Sequence, residues 1–100
     1  MRFWVDQQTG QKQVTVRIEF YGIARHRAGC ESIDVEAATL GDALQAAADR
    51  LPRFGTDCVD AGAPAKGFLA SINGDRFTTD ASTALASNDA VLILSADVGG

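Results

Sequence analysis

Few residues in this 100-residue chain are equipped for chemistry. It holds one histidine and two cysteines. His26, flanked by Arg25 and Arg27, reads as a turn histidine and makes a weak member of any nucleophile–base pair. Cys30 and Cys58 are too few for a disulfide framework or a structural zinc site. A cysteine-ligated iron–sulfur cluster takes four thiolates. Both thiols are therefore expected in loops, in a reducing compartment. Asp57, Asp60, Asp75, Asp80 and Asp89 fall in expected turns and connections, where carboxylates serve caps and hydration, and no two of them pair for acid–base work. No phosphate loop, dinucleotide-binding glycine pattern, HExxH or CxxC occurs. The expectation is a chain that is no enzyme, with no metal and no cofactor of its own.

One chemical group remains: the carboxylate of the terminal pair Gly99-Gly100. Two terminal glycines arise by chance in about one chain in 200 at average usage, so the pair acquires meaning only from its setting. Glycine lacks a Cβ, and a glycine tail can thread a narrow channel and bring its carboxylate against another protein's catalytic groups. That carboxylate is ionised at neutral pH and a poor electrophile. It needs activation, most directly by adenylation with ATP.

The elements that would present this tail are readable. Val14-Thr-Val-Arg-Ile-Glu-Phe20 alternates apolar and polar residues, a strand with Val14, Val16, Ile18 and Phe20 facing the core. Gly22 to Gly29 reads as a turn. Ser32 to Glu36 alternates again and forms an antiparallel pair with the first strand. A helix follows, with Thr39 as N-cap and Asp42 three residues on, a variant of the capping box. Leu40, Ala43, Leu44, Ala47 and Leu51 supply its apolar stripe, and Pro52 stops it. The alanine run 46–48 implies a close approach of the sheet. Residues 53–66 read as a long connection. Gly67 to Ile72 is a third strand, Asn73-Gly74 a type I′ turn and Arg76 to Thr78 a short fourth strand. Thr79 to Ala90 is a polar crossing in which Leu85 plugs the core. Ala90 to Ser95 is a continuous apolar run, the central strand.

The order β-β-α-β-β-β, with a helix on one face of a mixed sheet and the first and last strands parallel at its centre, is the β-grasp (ubiquitin-like) plan of the α+β class. Three segments result: a mobile extension over 1–13, the domain over 14–95 and a flexible tail over 96–100. Leu92 and Leu94 of the last strand, with Val98 beyond it, are the expected partner-binding residues. An exposed apolar patch on a small domain commonly marks an interaction surface.

The chain also resembles a known family, the ubiquitin-like sulfur carriers, which include the small subunit of molybdopterin synthase and the thiamine-pathway carrier. The resemblance runs from Val14 to Gly100. It rests on Val16-Arg-Ile-Glu-Phe-Tyr-Gly-Ile-Ala-Arg25, Thr39-Leu-Gly-Asp-Ala-Leu44, Ile72-Asn-Gly74, and Leu85 with Asn88-Asp-Ala-Val91 leading to the diglycine. Asn88 stands where the family has glycine, and asparagine is the next best residue for a left-handed turn. The approach Ser95-Ala-Asp-Val lacks the family's paired prolines. The resemblance implies that an ATP-dependent, ubiquitin-activating-like enzyme adenylates Gly100. Persulfide sulfur then converts it to a thiocarboxylate for an acceptor such as the molybdopterin synthase large subunit. Gly99 and Gly100 alone carry over as functional residues. A protein modifier forming isopeptide bonds through Gly100, a thiamine-pathway carrier and a plain interaction module stay open as alternatives.

Composition bounds the partners. Thirteen acids against nine bases leave a net charge of −4, which argues against nucleic acid. No apolar run approaches the roughly 20 residues that span a bilayer. Met1 to Gln13 contains no signal-peptide core, so a cytoplasmic location is expected.

Overall fold

The structure, a computed structural model, describes residues 13–95 of the 100. The expected N-terminal extension, apart from Gln13, and the tail from Ala96 onward lie outside the described residues.

The elements run β1 (Val14–Phe20), α1 (Ile23–Ala28), β2 (Ser32–Ala37), α2 (Leu40–Arg50), α3 (Pro52–Cys58), β3 (Val59–Asp60), β4 (Ala63–Pro64), β5 (Phe68–Ile72), β6 (Arg76–Thr78) and β7 (Ala90–Ser95). Five strands form one sheet in the order β2-β1-β7-β5-β6. β1 and β7 are its parallel central pair, with Ile18 opposite Val91 and Phe20 opposite Ile93. All other neighbours in the sheet are antiparallel. This is the β-grasp architecture that the element order implies.

Strand alternation sorts the sheet into two faces. Val16, Ile18, Phe20, Val35, Ala70, Ile72, Val91 and Ile93 are buried on the helix side, where Leu40, Ala43, Leu44 and Ala47 of α2 meet them. Val14, at the start of β1, is only half-buried at the margin of this core. Leu85 is buried from the crossing segment, which is tied down by a bridge between Thr39 and Ala84. Thr39 caps α2 by accepting from the Asp42 N–H at 3.2 Å. The Asp42 carboxylate accepts in return from Ala38 N–H at 3.3 Å, one residue before the position a standard capping box uses.

Two expectations are corrected. Gly22 to Gly29 is a helix, α1, rather than a turn. Gly22 enters it at φ 58° and Gly29 closes it in the left-handed region at φ 78°, donating to the Arg25 carbonyl at 2.9 Å. Only Ala24 of its six residues is buried, so no apolar period announces it. Residues 53–66 are likewise no simple connection. Pro52 ends α2 but opens α3, because a proline at the first helical position loses no N–H that the helix needs. Phe54 and Cys58, four residues apart, point into the core. The Phe54 ring meets Phe20 edge-on, with centroids 4.9 Å apart and planes at 67°. A β3–β4 hairpin completes the segment, turned by Ala61 (φ 54°) and Gly62 (φ 82°).

The alanine run of α2 does serve a close approach, but by α3 as well as the sheet. A Cβ on Gly55 would lie 2.7 Å from the Ala48 Cβ and 3.0 Å from its Cα. The helices cross at a glycine–alanine contact that tolerates no larger pair. Asn73 and Gly74 take φ 57° and 80°, as a type I′ turn demands, and Asp75 N–H closes on the Ile72 carbonyl at 3.2 Å. Pairing resumes with Ile72 opposite Arg76, so three residues rather than two join the strands. Asn88, at φ 68°, holds the left-handed position expected of it.

Candidate functional site

Because β7 runs parallel to β1, its last residue, Ser95, leaves the sheet at the end where β1 turns into α1. Tyr21 N–H donates to the Ile93 carbonyl at 3.1 Å and ties the two strands at that end. Gly22 then turns the chain into α1, which leaves Tyr21 and Ile23 exposed (38% and 50%) near the root of the tail. Val98, Gly99 and Gly100 lie outside the described residues, but the strand that leads to them is fixed on both sides. Gly100 is the fifth residue beyond Ser95, a reach of about 17 Å when extended.

The second component is the sheet face opposite the helices. Leu92 and Leu94 lie on it, half-buried, while Val91 and Ile93 of the same strand are fully buried on the helix side. Ladder register brings further residues alongside. Leu69 pairs with Leu94, Ser71 with Leu92, and Phe77 with Ser71. Phe77 is 66% exposed, the most open large apolar side chain described. Leu69, Ser71 and Phe77 went unselected at the level of sequence, although alternation within each strand already placed them on one face. What was missing was the order β7-β5-β6, which makes three short strands neighbours. Ser71 is 1% exposed, and its hydroxyl is buried with no hydrogen-bond partner.

Towards β1 and β2 the same face is polar. Tyr21 donates to Glu19 Oε1 at 2.6 Å. This carboxylate bond, with smaller contributions from burial and from the Glu19 charge, raises the phenol above its ordinary value of 10.0. Arg17 pairs with Asp34 at 3.4 Å and Arg25 with Glu31 at 3.7 Å. Thr15 donates to Glu36 across the β1–β2 pair.

Several of the remaining chemistry-bearing residues have structural partners. Asp57 pairs with Arg27 at 2.7 Å, and Arg27 also approaches His26 Nδ1 at 3.1 Å. Asp80 accepts from Ser82 Oγ and N–H at 2.7 and 2.9 Å, which lowers its carboxyl below the usual value. Asp89 accepts from Asn73 Nδ2 and Ala86 N–H. Among the described residues no three His, Cys, Asp or Glu side chains form a group able to hold a metal. Cys58 is no loop thiol: it ends α3, buried in the core. Burial, with the nearby Asp57 charge, pushes its pKa up to about 11, so it stays protonated at neutral pH and is no nucleophile there. Cys30 is half-buried at the end of the β1–β2 connection.

Together the sheet, its helices and the end of β7 define a ubiquitin-like β-grasp protein. Solved structures of the same fold include the small archaeal modifier protein 1 from Methanosarcina acetivorans. It is 19% identical, with a TM-score of 0.75 over 88% of this chain and 98% of that one. The Amycolatopsis orientalis BexX/CysO complex contains a chain 19% identical, with a TM-score of 0.71 over 85% and 99%. A protein described as molybdopterin converting factor, subunit 1, from Pyrococcus furiosus is 19% identical, with a TM-score of 0.66 over 82% and 97%. No family model and no curated protein matches the chain. No helix among the described residues is long and apolar enough to cross a membrane.

Proposed function

We propose that the chain is a sulfur carrier, a protein cosubstrate whose Gly100 carboxylate is activated and sulfurated by other proteins. One observation carries the reading. β7, the strand at the centre of the sheet, bears Leu92 and Leu94 on the helix-free face and ends at Ser95, three residues short of the diglycine. A rigid strand, a recognition patch beside it and a short side-chain-free terminus make a carboxylate that a partner can hold and modify.

The steps are simple acyl chemistry. A Gly100 carboxylate oxygen attacks the α-phosphorus of ATP, and pyrophosphate leaves. A donor persulfide displaces AMP from the acyl carbon, and a second thiol cleaves the resulting acyl disulfide, leaving the thiocarboxylate. The ATP that this step consumes fits a cytoplasmic place of reaction. Leu92, Leu94 and Val98 contact the activating enzyme and then the acceptor. The likeness to a molybdopterin converting factor subunit supports the molybdenum-cofactor branch, with the molybdopterin synthase large subunit as acceptor, over the thiamine branch.

The test is intact-mass measurement after incubation with an ATP-dependent activating enzyme, ATP and a sulfur donor. The expected product carries one oxygen-for-sulfur exchange at Gly100. No exchange with any such enzyme from the same genome refutes the reading. The likeness to a small archaeal modifier protein favours one second reading, in which Gly100 forms isopeptide bonds. Lysine adducts on other proteins would support it.

A further inference from the structure

Lysine is scarce in this chain. Its nine lysine and arginine residues comprise seven arginines and two lysines, Lys12 and Lys66. An arginine guanidinium stays protonated and is no acceptor for an activated acyl group, whereas a lysine amine is a nucleophile once it loses its proton. Lys66 is the one lysine among the described residues, and it is exposed. No described carboxylate forms an ion pair with it.

The backbone on either side sets its place. Ala65 N–H donates to the Cys58 carbonyl at 2.8 Å, and Phe68 N–H donates to the Ala65 carbonyl at 2.9 Å. Lys66 and Gly67 are therefore the central pair of a tight turn, in which Gly67 takes φ 93°. A positive φ at the second central position is what a type II turn requires, and Lys66 stands at its tip.

The turn lies at the root of the C-terminal tail. Phe68 is opposite Ser95, and β5 and β7 are antiparallel. The residues before Phe68 and those after Ser95 hence leave the ladder at the same end. Paired residues on neighbouring strands stand about 5 Å apart, and Lys66 is two residues, at most about 7 Å, from Phe68. The Lys66 Cα is therefore within about 12 Å of the Ser95 Cα. The tail's reach of about 17 Å exceeds this before the lysine side chain is counted. Lys12 has no such placement. β1 is parallel to β7 with Phe20 opposite Ile93. Gln13 precedes Phe20 by seven residues and Ser95 follows Ile93 by two, which sets Lys12's neighbour about 30 Å along the strands from Ser95.

We propose that Lys66 is an internal acceptor for activated Gly100, closing the chain into a lariat through an amide bond. The inference rests on the carrier reading, which supplies the Gly100 adenylate. Lys66 Nζ loses a proton and attacks the acyl carbon. A C–N bond forms, the bond from the acyl carbon to the phosphate oxygen breaks, AMP leaves, and a second proton passes from the nitrogen to solvent. The product is the chain less one water, with no free carboxylate left to sulfurate. So short a tether holds the amine near the acyl group at an effective concentration of about millimolar, well above that of lysines on other copies in dilute solution. Ring closure competes with sulfur transfer and retires carrier that was activated while donor is short.

The test is intact-mass measurement of the full chain after incubation with the activating enzyme from the same genome and ATP, with no sulfur donor. Wild type should yield a monomer lighter by one water, and no covalent dimer even as the carrier is concentrated. Digestion should join the Lys66 peptide to Gly100. Lys66→Arg, which keeps the charge on an exposed turn, should support wild-type ATP–pyrophosphate exchange and give no dehydrated product. With donor present it should give more thiocarboxylate than wild type. A wild-type chain that is activated but loses no water, a loss that persists in Lys66→Arg, or a covalent dimer in place of the ring overturns the inference while carriage stands. A wild-type chain that supports no exchange overturns the carrier reading and the ring with it.

Discussion

Adding a single methyl group at Gly55 tests the part of the fold that hydrophobic patterning did not reveal. In isolation Gly55→Ala should favour α3, since alanine exceeds glycine in helix propensity by about 1 kcal/mol. The tertiary contact opposes this. The new Cβ would stand 2.7 Å from the Ala48 Cβ, 3.0 Å from its Cα and 3.2 Å from its carbonyl oxygen. Carbon atoms sit best at about 3.5–4.0 Å, so α3 must retreat by about 1 Å. Phe54, Cys58 and the Arg27–Asp57 ion pair move with it. Overpacking of this kind costs about 1–3 kcal/mol. Less the propensity gain, the net loss is about 1 kcal/mol, which lowers Tm by about 4–8 °C in a domain of this size. Thermal unfolding followed by far-ultraviolet circular dichroism measures it. In an Ala48→Gly background the same substitution should cost less, because one methyl is gone while the Cα at 3.0 Å remains. A Tm at or above wild type, or an undiminished penalty in that background, refutes the close packing of α3 on α2.

Asn73→Ala should destabilise by about 2 kcal/mol in urea unfolding. It loses the bonds to Asp89 and to Ala90 N–H as well as a residue tolerant of φ 57°. Asn73→Gly keeps the turn and should cost about half as much. Cys58 makes stability fall in alkali. Its folded pKa of about 11 lies above the ordinary 9.0, so between these values the unfolded chain has lost a proton that the native one retains. Urea midpoints should therefore decline over that range, and less so in Cys58→Val. Deleting Gly100 should abolish adenylation while leaving Tm unchanged, because the core residues described lie between Val16 and Ile93.

Local pattern alone settled much of this protein. Alternation in 14–20, the continuous apolar run 90–95, the Thr39 cap, the Asn73-Gly74 turn and the stop at Pro52 are short-range signals, each set by residues within a few positions of one another. They were enough for the β-grasp plan and for one face of β7 to carry Leu92 and Leu94. Tertiary structure decided the rest. α1 and α3 are six- and seven-residue helices, too short to hold themselves together by propensity. They exist because Ala24, Phe54 and Cys58 find a core built from distant strands. In the same way Leu69, Ser71 and Phe77 form a surface with Leu92 and Leu94 only because pairing sets β5 and β6 beside β7. The polar part over β1 and β2 joins that face through β1, about 70 residues away in the chain from β7 yet one strand spacing of about 4.8 Å from it. Which residues can face outward is written in each strand's alternation. Which of them stand together is decided by long-range pairing, because a contact across a sheet depends on neighbours in space rather than along the chain.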